Sequence, residues 1–179
     1  MVDKFYNGVI EQVYDQIGKT DKNIVMASYN NEFSVKELDN IKRYSEASDN
    51  VFFAWYEFEY GRLTTAFDPF WNIICDMYRT YINGKFEDFL VECEVYQLQR
   101  ETLCSYYYTG VCKRSEGVLL DEVAYEQTRM VESVATMLQK LSKIRPIMLV
   151  INRFQIASRS TMEVVSYLLQ NPSNRIGIE

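Results

Sequence analysis

Pro146-Ile147-Met148-Leu149-Val150-Ile151-Asn152-Arg153-Phe154 is the stretch from which the fold is read. Five apolar residues follow a proline without a break, and the run stops at a polar pair. A strand with one wet face would alternate apolar and polar residues. This one does not, so it reads as a central strand of a parallel sheet, covered by helices on both faces until it emerges at its carboxyl end. Open α/β sheets place ligands just outside that end. Asn152 and Arg153 are therefore the first candidate site residues.

The segments on either side support the same architecture. Leu119 to Ile144 predicts a long helix with a stripe of Val123, Ala124, Gln127, Met130, Val131, Val134, Leu138 and Leu141. Lys140, Lys143 and Arg145 gather at its C-terminus, where positive charge suits the helix dipole. Downstream, Ser160-Thr161-Met162-Glu163 matches a capping box and opens a helix through Val164, Val165, Leu168 and Leu169. Asn171-Pro172 stops it, and Arg175 to Glu179 starts a further strand. A chain that ends on a fresh strand is expected to be a fragment of something larger.

Towards the N-terminus, residues 4–17 form an amphipathic stripe ending at Gly18, Asn23 to Ala27 reads as a strand, and Ser28 to Ser34 reads as a turn. A modest helix from Val35 to about Ser45 follows. Val51 to Glu59 is rich in aromatic and β-branched residues and predicts the second strand. Asp68 is the expected cap of a helix with Pro69 in its first turn, whose apolar members are Phe70, Trp71, Ile74, Cys75, Tyr78, Tyr81 and Ile82. Phe86 to about Leu103 continues as helix, and Ser105 to Gly117 loses periodicity and predicts a surface loop.

The order β-α-β-ααα-β-α-β implies one α/β domain over residues 1–179 with a parallel sheet and right-handed crossovers. Residues 1–22 lead in as an N-terminal helix, and residues 62–118 form a helical insertion and loop between strands two and three.

Composition narrows the function. The 25 acids and 19 bases leave a net charge of −6, and no concentrated basic face of the kind phosphate backbones require is present, so direct nucleic-acid binding is not expected. No apolar run approaches the length of a membrane span and no signal-peptide core opens the chain. The expected location is cytoplasmic. Cys75, Cys93, Cys104 and Cys112 show no CxxC spacing and read as buried thiols, with no metal expected. The chain has no histidine, which excludes Ser-His-Asp and Cys-His catalysis.

Arg145 to Leu169 resembles the Walker B strand and following helix of the P-loop ATPase domains of the STAND and origin-recognition-like AAA groups, found in bacterial multidomain regulators. Phe67-Asp68-Pro69-Phe70 is similar to that family's aromatic lead-in to the helix after strand two. The resemblance runs from about Asn23 to Ile178 and is strongest after Leu119. It implies a three-layer α/β/α fold of about four parallel strands, with a later strand between the first strand and the Asn152 strand.

The family's function does not carry over residue by residue. Its GxxxxGK[ST] loop wraps phosphates with backbone N–H groups, a lysine and a magnesium-binding hydroxyl. The matching positions here are Ser28, Asn31, Phe33, Ser34 and Val35, which supply neither the glycines nor the lysine. Lys36 follows one or two residues too late. Asn152 stands where the magnesium-supporting aspartate belongs, and Arg153 where the water-activating glutamate belongs. An amide holds magnesium poorly and a guanidinium cannot accept a proton.

The resemblance thus implies a degenerate pseudo-ATPase with no expected cofactor. Its role would be that of a regulatory or interaction module meeting protein partners or other domains of the same polypeptide. An ATP- and magnesium-using site of non-standard form is one alternative, and a Rossmann-like small-molecule domain is another, although no GxGxxG is present. For single residues the ordinary readings are structural. A strand-end arginine such as Arg153 pairs with a neighbouring acid or lies in solvent, and Asn152 satisfies backbone groups. Tyr106-Tyr107-Tyr108, beside Lys113 and Arg114, is a solvated loop with a few buried rings rather than a base-stacking platform. Glu57 and Glu59 share a sheet face and are solvated at a strand end rather than forming a catalytic carboxylate pair.

Overall fold

The computed structural model describes residues 26–27, 43, 51–61, 66–110 and 120–170. In chain order the elements are β1 (Met26–Ala27), β2 (Phe52–Glu57), α1 (Phe70–Tyr81), α2 (Phe86–Glu92), α3 (Gln97–Thr109), α4 (Leu120–Ile144), β3 (Ile147–Asn152), a 3-10 turn (Phe154–Ile156) and α5 (Arg159–Gln170). The expected helix over residues 4–17, the turn after Ala27 and the last strand lie outside the described residues. So does most of the Val35–Ser45 helix, of which Arg43 is helical.

β3 is the middle strand, in the order β1-β3-β2, and both neighbours are parallel to it. All six of its residues are buried. Ile147, Leu149 and Ile151 face a cluster that includes Val134, Ala135, Met137, Leu138 and Leu141 of α4 and Val164 and Leu168 of α5. Met148 and Val150, on the opposite face, are each only 2% exposed. This accounts for the unbroken apolar run: neither face of the strand could carry a polar side chain without burying it.

The strand order departs from the expected P-loop arrangement. Met26 and Ala27 are in direct register with Val150 and Ile151, so no later strand lies between the first strand and β3. Numbered among the described residues, the order also differs from the common doubly wound sheets, whose first three strands run 3-2-1 or 2-1-3. The described fold is therefore a mainly helical α/β arrangement around a parallel sheet.

α4 begins and ends close to the expected positions, but its stripe is not buried along its whole length. Val123 is 50% exposed, whereas Val131 onward is packed. Length explains this. Its 25 residues span about 37 Å, while a six-residue strand such as β3 spans about 20 Å. The first turns of α4 therefore extend past the end of the sheet.

The helices between β2 and α4 differ from the expectation at three places. Asp68 is not the cap of α1: Pro69 holds that position, and the Asp68 carboxylate accepts the Asn72 side-chain amide at 3.0 Å. Its carbonyl accepts the buried Thr161 hydroxyl at 2.6 Å, which ties the start of α5 to the start of α1.

The expected single helix over 86–103 is two helices. Glu94 adopts a left-handed φ of 57°, its N–H reaches the Val91 carbonyl at 2.9 Å, and the Val95 N–H reaches the Leu90 carbonyl at 3.1 Å. These are the two bonds of a Schellman motif, and the buried Val95 and Leu90 occupy its hydrophobic positions.

The expected loop from Ser105 instead begins as the last turn of α3, which runs to Thr109. Gly110 closes it at φ 68°. Tertiary packing holds this turn helical: Tyr107 stacks on Phe86 with ring centroids 4.1 Å apart, and Tyr106 lies 5.2 Å from Trp71.

The capping box also shifts. Ser158, not Ser160, accepts the Thr161 N–H at 3.2 Å. Glu163 does not reach back to the cap. It accepts Gln127 Nε2 and Arg159 Nε, each at 2.7 Å, and so links α5 to α4.

The Schellman assignment makes a prediction of definite sign. Glycine adopts the left-handed region without the roughly 1–2 kcal/mol cost that falls on other residues, so Glu94→Gly should raise unfolding stability in denaturant by about 1 kcal/mol. In a continuous helix the same change would lower it by about 0.5–1 kcal/mol, and a loss of that size would contradict the break.

Candidate functional site

The carboxyl edge of the sheet brings together three side chains from the ends of two strands. Parallel register sets Glu57, the last residue of β2, opposite Asn152, the last of β3. Asn152 is 4% exposed, and its Nδ2 donates to Glu57 Oε1 at 3.4 Å. Immediately beyond, Arg153 takes a left-handed φ of 58° and ψ of 41°, turning the chain sharply into the 3-10 segment. That turn brings its Nη1 within 3.3 Å of the same Glu57 oxygen.

The chemistry of this group follows from its charges. Glu57 is the one carboxylate of the three, and its Oε1 receives both an amide donor and a guanidinium. A divalent cation there would meet the fixed charge of Arg153, and it would need oxygen ligands that a guanidinium does not have. Arg153 cannot act as a base. Among the described residues, no group of three or more His, Cys, Asp or Glu side chains could hold a metal ion.

Of the two ordinary readings of Arg153, the structure shows the pairing with an acid. Asn152 differs in part. Its side chain donates to Glu57 rather than to backbone, while its carbonyl accepts the Phe58 N–H at 3.2 Å. Glu57 and Glu59, expected to be solvated at a strand end, are both exposed, and Glu57 in addition meets the arginine, a contact that the sequence reading did not include. β2 ends at Glu57, and Glu59 lies exposed beyond the buried Phe58. The pairing follows from the parallel register that sets Glu57 opposite Asn152, which no pattern within either strand encodes.

Ser28, Asn31, Phe33, Ser34 and Val35 lie outside the described residues, as do Lys36, Lys113, Arg114 and Cys112. Tyr106 and Tyr107 pack against the core, and Tyr108, 57% exposed, donates its hydroxyl to Glu87 at 3.0 Å. Rings committed to α1 and α2 in this way do not form a base-stacking platform.

Cys75 and Cys93 are buried, as expected, and Cys104 is partly so. Burial pushes the Cys75 thiol up to about 11, partly offset by Arg79 and reinforced by Asp76. It pushes Cys93 up to about 12 against the pull of Lys140. Neither is a poised nucleophile. Also among the described residues, no helix is long and apolar enough to cross a membrane.

No protein-family model, curated protein or solved structure matches the chain.

Two outcomes are expected. A double-mutant cycle with Glu57→Gln and Arg153→Ala, read by equilibrium unfolding, should give a favourable coupling of about 0.2–1 kcal/mol, the range for solvent-accessible ion pairs. Zero or unfavourable coupling would contradict a stabilising role for the ion pair. In the second, the raised thiol values mean that the folded state holds the Cys75 and Cys93 protons more tightly than the unfolded chain, whose thiols titrate near 9.0. Their contribution to stability should be intact below that value and lost as pH rises towards about 11 and 12. Replacing both cysteines with alanine should flatten that alkaline decline, and an unchanged decline would contradict the assignment.

Proposed function

We propose that this chain is a catalytically silent α/β domain that works through contacts with other polypeptides, as a regulatory or interaction module of a larger bacterial signalling regulator. The observation that carries this reading is the use made of Glu57. Glu57, the acid that closes β2, meets Asn152 and Arg153, within the protein itself. Phosphoryl transfer depends almost wholly on positioned cations and on a group that orients the attacking oxygen. Asn152 and Arg153 stand where the resembling family places its two acids, and they supply neither function.

The resemblance to STAND and origin-recognition-like AAA domains rests on the β3 strand and the helix after it. The direct pairing of β1 with β3 counts against that family's strand order; the catalytic silence is argued from the chemistry of the edge, and the place in a larger regulator from the resemblance. The Rossmann-like reading meets the same difficulty in its strand order.

One observation favours a second reading, nucleotide binding without turnover. Arg153 keeps 24% of its side chain exposed at the edge where parallel sheets place ligands, and a guanidinium suits phosphate oxygens. The two readings separate in one experiment. Unfolding of the purified chain is followed with increasing ATP and magnesium, alongside phosphate release. A ligand at a hundred times its dissociation constant adds about 2.7 kcal/mol of stability. The silent module predicts no shift and no release. A saturable shift abolished by Arg153→Ala would replace it with the binding reading, and release abolished by the same change would restore an ATPase.

A further inference from the structure

We draw no further inference here: the strongest candidate, the exposed patch at the start of α3 and α4 where the Arg129 guanidinium lies over the rings of Tyr96 and Tyr125, carries nothing because nothing in the structure shows what covers it.

Discussion

Burial of β3 on both faces is the constraint from which the rest of the described structure follows. A six-residue strand with every side chain buried leaves only its two ends for polar groups. At its start, the Phe52 N–H takes the Pro146 carbonyl at 2.8 Å and sets the register of β2. At its other end, that register brings Glu57 beside Asn152. The helices adapt to the same strand: α4 presents Val134, Leu138 and Leu141, and α5 presents Val164 and Leu168, to one continuous cluster. The aromatic layer of α1, α2 and α3 joins that cluster through Trp71, Tyr78 and Phe86.

The carboxyl edge is where this arrangement meets chemistry. A pair of acids there would repel one another and could be relieved by a cation. An amide and a guanidinium instead draw in an acid from the next strand, and the group neutralises itself. The left-handed backbone at Arg153 costs about 1–2 kcal/mol, and it is this turn that points the guanidinium back at Glu57. A conformation strained in this way persists because the flanking structure holds it: β3 is fixed on one side, and on the other the Ala157 and Ile156 N–H groups bond back to Phe154 and Arg153.

Elements with strong periodicity or continuous burial were legible in the sequence. β3, α1 and α4 stand close to where their apolar patterns put them, because those patterns record the core they face. What stayed hidden depended on partners far away in the chain or on equivalent local choices. The break between α2 and α3 uses Glu94, where glycine would have announced it. The last turn of α3 is helical because Tyr106 and Tyr107 find Trp71 and Phe86, rings some twenty to thirty-five residues away. Ser158 and Ser160 are equally good caps by composition, and only the fold selects between them. The Glu57–Arg153 pair required the register of two strands that no local pattern supplies. The strand order, with β1 directly against β3, was likewise invisible to a reading made one segment at a time.

A crystal structure of the chain grown in the presence of magnesium and a non-hydrolysable ATP analogue would test the central claim most directly. The account predicts that Glu57 Oε1 remains in contact with the Arg153 guanidinium and the Asn152 amide, with no phosphate at the carboxyl edge of β3. A phosphate group held by Arg153, with Glu57 displaced from it or bound to magnesium, would contradict it.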